Sequence, residues 1–582
     1  MKKQLLIILF LFASYNLAFS QYILKNAEDV RWYQGIAQEK VVVQPNETLL
    51  FAGESMYYTL YCFDAKTNNY SNNSKIAYVE LVGENTIVFK QKIKLIKGVG
   101  NGDFFVPPTV KSGNYKLIGY TQWMKNGDKE NFFQTDIVIL NPYEANANVD
   151  EAGSLNDNFG KINNTVSNQK QVIEVQTDAK TYKTRAKVSL NVNLLGNGFG
   201  NYSVSVRKKD DLTSKTNQYS LGSSTQNTTN VSEVKTIGES IYLPEFVGEM
   251  IKGKVLNKLT GKPEVGKDVV LSILSDEVFQ DIVKTNAYGV FYFQLKDNYS
   301  KPDALVQVLG ADRDTYNIVI NEHESVDYSV LNFKKFQLSK EHQDLIIERS
   351  IHNQVRNAYF SVKQDTLKTD VYPEPFFGNP PIVYQLDDYK RFPTLAETFV
   401  EVIDHVWDQK ADNGKRSIDV REREFDPYYG IDLAPMVLVD GVFIQDHQSI
   451  LDFYATKVKT IKVHREEYYY GKIVYQGIVR IETFEGNYAE SISGDYLKKF
   501  NRFSTQPAKG YFNQDYSKSS EGLDRIPDFR EQLLWYPNLE FTKQTMNIQF
   551  YTSDVICDFE IILEGFTNLG EPVYLREVFT VN

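Results

Sequence analysis

The sequence predicts a mainly β protein, built as tandem β-sandwich modules plus one small α+β domain. Three observations predict it. Short alternating apolar and polar runs recur along most of the chain, each bounded by Gly, Asn, Ser or Pro clusters, which is the pattern of sandwich strands. Tyr and Phe are abundant, at 38 and 36 residues, and both favour strands. A helical period appears in only two stretches, and the second of them lies among strands.

The chain opens with Met1 to Gln21. Lys2 and Lys3 supply a positive start, Leu5 to Phe12 a short apolar run, and Ala18-Phe19-Ser20 the small residues before a cut at Gln21. Residues 1–20 therefore read as a secretory signal peptide. An N-terminal anchor is the alternative, but the apolar run is shorter than the roughly 20 residues a spanning helix needs. No cysteine lies near the cut, so lipid attachment there is not expected, and no later segment is apolar enough for a transmembrane helix. At 582 residues the chain has length for about four domains. Its net charge of −11 argues against nucleic acid as a partner. Cys62 and Cys557 are too few for a disulfide framework. They read as two buried free thiols, with a single bridge between the first and last modules as the alternative.

Residues 28–141 read as the first sandwich. Its strands are Tyr57 to Tyr61, Ile76 to Leu81, Thr86 to Gln91, Asn114 to Thr121 and Thr135 to Leu140. Residues 142–171 are Asn-rich and aperiodic, as expected of a linker. A second sandwich is expected over 172–240, with strands Lys187 to Leu195 and Tyr202 to Arg207 and a polar Ser214 to Asn230 loop. A small β-module follows over 242–330. A helical connector is expected over 339–361, capped by Ser339, with Ile347, Ile351, Val355 and Tyr359 as its apolar face. An α+β domain spans 385–485. It holds a helix over Thr394 to Trp407, a short helix near Gln448 to Tyr454, and strands at Met436 to Val439, Thr460 to His464 and Gly477 to Glu482. A last β-module fills 530–582.

Several motifs resemble known families. Gly53-Glu54-Ser55, Ser112 to Leu117 and Tyr120 to Met124 make the first module similar to the macroglobulin-like domain of large exported Bacteroidota proteins. Tyr182, Val188 to Leu190 and Ser203 to Arg207 make the second similar to the next macroglobulin-like repeat. The third resembles the carboxypeptidase-regulatory-like module through Gly253-Lys254-Val255, Gly261-Lys262-Pro263, Thr285 and Gly289 to Phe293. The 385–485 domain resembles the plug of TonB-dependent outer-membrane receptors through Val437 to Val442, Ile461 to Val463, Tyr470-Gly471 and Gly477 to Ile481. Trp535 to Leu539 and Phe550 to Asp554 resemble macroglobulin-type ends. The resemblance implies an exported envelope protein. It also implies an outer-membrane partner, such as a TonB-dependent-type barrel, in the periplasm or beside the outer membrane. Two departures qualify it. Neither cysteine sits in a thioester sequence, so covalent protease trapping is not expected. About 100 residues follow Glu482, short of a plug-enclosing barrel.

No catalytic, cofactor or metal site is expected. The six histidines are His323, His342, His352, His405, His447 and His464, and none forms an HExxH pair. Glu397, Glu401 and His405 would share one helical face as possible metal ligands. With no second His or Cys nearby, that face reads as solvated. His342 and His352 share no clean face. Ser275-Asp276 and Ser449-Ile450 lack a nucleophile elbow. Gly196 to Gly200 resembles a phosphate loop in composition but lies between strands, as a hairpin loop would. Lys208 to Asp211 lacks the carboxylate spacing of a calcium loop. Tyr468 to Tyr470 read as sheet aromatics before a stacking surface for sugar or peptide. Arg421 to Glu424 reads as a solvated charged face. Asp440-Gly441 is expected to mark the turn of a docking domain.

Three functional expectations follow. The first is a non-enzymatic envelope binding or scaffolding protein, an accessory of an outer-membrane transport, secretion or assembly complex. The second is a thioester-less macroglobulin-like protein that binds proteases non-covalently, with Ser214 to Asn230 as bait. The third is a hydrolase with its site hidden between Val362 and Asp426.

Overall fold

The computed structural model describes residues 22–144, 172–209, 235–274, 278–296, 301–321, 325–333, 343–368, 379–410, 414–421, 433–470, 473–517, 526–541 and 543–582. The signal segment, nearly all of the 142–171 linker, the Ser214 to Asn230 loop, Ser275-Asp276, His323, His342 and the Ser339 cap lie outside these residues. The described chain is mainly β. It divides into two compact units. One is formed by residues 1–248, 325–369 and 505–582, the other by 249–324 and 370–504.

The first unit holds two sandwiches. In the first, a five-stranded sheet orders Leu49–Phe51, Phe133–Leu140, Gly113–Tyr120, Ile76–Gly83 and Thr86–Lys94. It faces a three-stranded sheet of Glu39–Pro45, Ser55–Asp64 and Val99–Phe105. Alternation decides the facing. Val41 and Val43 point at Gly119, where a Cβ would come within 2.5 Å of Val43, so the sheets close tightly there. A helix the sequence did not signal, Ala27–Gly35, precedes these strands. The Asn26 side chain caps it by accepting from the Glu28 and Asp29 amides, and its Tyr33 packs on Trp123 at 5.2 Å.

The second sandwich corrects the expected module boundaries. Residues 172–240 and 530–582 are not two modules. One sheet orders Ile173–Thr177, Lys187–Leu194 and Thr545–Tyr551. The other orders Thr181–Tyr182, Pro572–Val581, Asp558–Thr567, Gly200–Lys208 and Gln532–Glu540. The reason is burial. Lys187–Leu194 alternates cleanly, and its face of Val188, Leu190 and Val192 needs an opposing sheet. Leu534, Ile561, Leu563 and Phe579 of the facing sheet supply it, and Phe550 extends the same face beside Val188. Gly196 to Gly200 joins strands of opposite sheets, so it is an arch rather than the expected hairpin loop.

The second unit pairs a β-module with the α+β domain. Glu249–Asn257 sits between Val290–Leu295 and Tyr316–Asn321. The facing sheet orders Val278–Lys284, Asp268–Leu274, Asp303–Val308 and Leu497–Asn501. The expected 242–330 boundary thus misses a strand that arrives after the α+β domain, and residues 325–330 belong to the first unit. The α+β sheet orders Ile382–Gln385, Val458–Tyr470, Ile473–Thr483, Met436–Val439 and Val442–Phe443, with Met436–Val439 parallel to Ile473–Thr483. Met436–Val439 is apolar throughout because both faces are covered. Val437 and Val439 meet Leu395, Phe399 and Ile450. Met436 and Leu438 meet Val270 of the β-module.

The helix expected over Thr394 to Trp407 ends early. It spans Leu395–Glu401, with the Thr394 hydroxyl accepting from the Glu397 amide. His405 turns the chain at φ 67°, and Val406–Lys410 becomes a strand paired with Arg416–Val420. Among the described residues no helix is long and apolar enough to cross a membrane, which says nothing of β-barrels.

Candidate functional site

The functional geometry centres on the helix Gln343–Ala358, and it inverts expectation. Ile347 and Ile351 of the expected buried face are 48% and 53% exposed. The buried residues are Arg349, Ser350 and Asn353. Hydropathy favours burying these isoleucines; instead Arg349, Ser350 and Asn353 turn inward, beside Leu345 and Ile346, which pack against Leu49, Phe51 and Leu140.

The polar contact begins at the turn Phe51 to Glu54. Gly53 adopts φ +92°, a left-handed conformation that glycine takes without a Cβ penalty. The Glu54 carboxylate accepts from the Phe51 amide at 2.8 Å. The carbonyls of Ala52 and Gly53 are thereby turned outward. Asn353 donates to the first at 2.9 Å and Asn357 to the second at 2.8 Å. Arg349 closes the contact. Its Nε and Nη2 meet the two Glu54 oxygens at 2.8 Å each, the fork geometry that makes Arg–carboxylate pairs strong. Nη2 also meets Glu47 at 2.8 Å and the Leu49 carbonyl at 3.1 Å, while the guanidinium lies 4.8 Å over the Phe51 ring.

The second sandwich joins at the same place. Glu531 accepts at 2.8 Å from His352 and lies 3.8 Å from Arg349 and 3.5 Å from Lys208. Burial alone would raise the Glu531 carboxyl, but the His352 hydrogen bond and the charges of Arg349 and Lys208 outweigh it and hold it below the usual range. Burial likewise pushes the Lys208 ammonium down, and Glu531 and Glu348 overcome that and raise it. Arg207 bonds Glu560 of its own sandwich and the Asn46 carbonyl of the first, each at 2.8 Å. Asn46 donates to Gln532 at 3.0 Å. A cavity of about 30 Å³ remains between these groups, room for a single water. Chemically the cluster is a clamp. Its carboxylates are engaged by cations and amides, and what it performs is orientation of three elements.

The residues considered from sequence are not gathered into one site. Glu397 and Glu401 stay on the short helix, and His405 lies past its end, so the shared face is lost. Among the described residues no group of three His, Cys, Asp or Glu is placed to hold a metal ion. His447 accepts from the Ile418 amide at 3.1 Å and is pushed down by burial. The Ser449 hydroxyl donates to the Asp446 carbonyl as part of a helix cap. Tyr468 and Tyr469 lie in the strand Val458–Tyr470 opposite Tyr475 and Val474. Cys62 and Cys557 are free thiols, both pushed up by burial, Cys557 to about 12.

Asp440-Gly441 is a turn, at φ 47° and 79°. The turn is tied into its own domain. Asp440 accepts from the Thr483 amide at 2.8 Å, the Thr483 hydroxyl at 2.6 Å and the Tyr488 amide at 3.1 Å. Gln280 of the adjoining β-module donates to the Gly441 carbonyl at 3.1 Å. The clamp residues Arg349, Asn353 and Asn357 were missed because hydropathy ranks the apolar stripe first. The available signal was their own four-residue spacing.

No family model and no curated protein matches the chain. Among solved structures it is similar to Salmonella alpha-2-macroglobulin reacted with methylamine. The identity is 8% and the TM-score 0.23, over 97% of this chain and 40% of that one. It is also similar to Escherichia coli alpha-2-macroglobulin activated by porcine elastase, at 6% identity and TM-score 0.24, over 94% and 44%. Latent PorU from Porphyromonas gingivalis matches at 11% identity and TM-score 0.13, over 49% and 33%. The chain thus spans less than half the length of these macroglobulins.

Proposed function

We propose that the protein is a non-enzymatic, exported binding or scaffolding component of a bacterial cell envelope, accessory to an outer-membrane complex. One observation carries the binding half of this reading. The helix Gln343–Ala358 is held through Arg349, Asn353 and Asn357, with Leu345 and Ile346 packed beside them, which leaves Ile347 and Ile351 exposed, and Phe360 and Val362 just beyond it are 57% and 46% exposed. Exposed apolar side chains grouped on a rigidly held element suit a protein–protein contact. Export rests on the signal-like start, and the outer-membrane partner on the plug-like sequence resemblance.

The test is recovery of the tagged protein from detergent-solubilised native envelope after mild cross-linking. An outer-membrane protein is expected with it, and Ile347→Glu with Ile351→Glu is expected to reduce that recovery about tenfold, a loss equal to about 1.4 kcal/mol of binding. Because both side chains are exposed, the double variant should keep the wild-type melting temperature. Recovery of the protein alone, or of the same partner at equal yield with the variant, overturns the reading.

A further inference from the structure

The two sandwiches of the first unit meet through more than the clamp. Tyr61 and Phe63 of the first pack edge-on against Phe566 of the second, with ring centres 5.0 and 4.8 Å apart. Tyr70 donates to the Phe566 carbonyl at 3.0 Å, and Thr59 to the Pro537 carbonyl at 3.2 Å. Tyr57 stacks on Trp535 at 5.8 Å.

Strand parity puts an acid in this contact. In Asp558–Thr567, Phe559, Ile561 and Leu563 face the core of the second sandwich. Glu560, Glu564 and Phe566 therefore share the opposite face, the one that meets the first sandwich. Glu564 is buried, with Ser203 and Tyr574 beside it on the neighbouring strands. Among the described residues no hydrogen bond reaches its carboxylate. The charged and titratable groups facing it are Arg207 on Gly200–Lys208, Tyr61 on Ser55–Asp64, Tyr574 on Pro572–Val581, and Glu560 with its partner Arg576. Arg207 is the nearby cation, and it is already engaged by Glu560, by the Asn46 carbonyl and, at 3.5 Å, by Glu47.

We propose that Glu564 is a proton-operated latch on the contact between the two sandwiches. With its carboxyl neutral, the acid lies closed against the aromatic side of the first sandwich. Loss of the proton places an unshared negative charge in that contact and loosens it. The device belongs to the sandwich contact and does not depend on any partner at the helix.

The electrostatics agree in direction. Burial pushes the Glu564 carboxyl up to about 7, against the pull of Arg207. A carboxyl raised in the folded state stabilises the closed contact fully below its ordinary value of 4.5 and loses that effect as pH rises through about 7. Between those two values the opening equilibrium should rise about tenfold for each pH unit, and above about 7 it should level off.

Hydrogen exchange of the full chain at pH about 6 and about 8, with labelling times corrected for intrinsic exchange, tests the latch. Protection of residues 57–63 and 560–567 should fall about tenfold between the two, while residues 269–273 of the other unit keep theirs. Glu564→Gln, which cannot ionise, should hold the protection at both values. Glu564→Met serves if the amide variant does not fold. Equal protection of the wild type at both values overturns the latch, as does a pH-dependent loss that persists in a neutral variant.

Discussion

Among the described residues each unit holds a junction between modules, and the two differ: the first adds a buried ionic clamp to aromatic packing, whereas the second is largely apolar. In the first unit, two sandwiches and a helix meet through Arg349, Glu54, Glu47, Arg207 and Glu531. In the second, the α+β sheet meets the β-module through Val270, Met436, Leu438 and Ile478, with Gln307 donating to the Phe443 carbonyl at 3.0 Å. Apolar packing is non-directional and indifferent to pH. A buried ionic contact works only in one geometry, because each desolvated charge must find its partner. The ionic contact therefore sets the helix with Ile347 and Ile351 outward. A hydrophobic seat would accept several rotations of the helix, whereas the Arg349–Glu54 fork and the two asparagine contacts accept one.

The largest expected effect comes from breaking each junction in kind. Arg349→Ala strands Glu54 and Glu47 and should destabilise the first unit by about 3–5 kcal/mol. Leu438→Ala opens a cavity in the second junction and should cost about 3 kcal/mol. Calorimetry on the full chain should assign the two losses to different unfolding transitions. Loss of a single shared transition would show that the units do not melt separately and would remove the basis of the comparison.

A middling effect is expected on acidification. Glu531 is held below its ordinary value of 4.5, so its contribution is present above that pH and is lost as pH falls through its lowered folded value. Glu531→Gln should therefore destabilise the first unit by about 1–2 kcal/mol at neutral pH and flatten its acid limb, leaving the apolar junction unchanged. An acid limb equally steep in wild type and variant counts against the clamp. Glu531 and Glu564 lie in one unit yet are shifted in opposite directions, because cations surround the first and burial dominates the second.

The smallest effect separates two glycines. Gly441→Ala should cost about 1 kcal/mol for its left-handed backbone at φ +79°, since the added carbon meets only the Ile273 carbonyl at 3.5 Å. Gly53→Ala should cost about twice that, because the carbon would lie 2.7 Å from Asn353 and 2.8 Å from Asn357 and displace the helix anchors. Equal costs in urea titrations would mean that the asparagines do not hold the helix.

Much of the architecture was legible from local pattern. Lys187–Leu194 alternates apolar and polar residues, and so it is a strand with one buried face. Met436–Val439 is uniformly apolar, and so it is covered on both sides. Asp440-Gly441 is a turn because few other pairs take positive φ twice. The site was far less legible. Ile347 and Ile351 look like the buried side of any amphipathic helix, and nothing within the helix says that Glu54, about 300 residues earlier, will accept Arg349 instead.

Strand period, turn chemistry and a mainly β class follow from neighbours along the chain, because alternation and backbone preference act over a few residues. Which strands share a sheet does not. Arg207 and Glu560 stand 353 positions apart, and only the folded chain brings them to 2.8 Å and makes one sandwich from two distant segments. The same holds for the orientation of the helix and the burial of Glu564. Each depends on the desolvation of a charge by residues far away in sequence, a quantity that exists only once the surfaces have met.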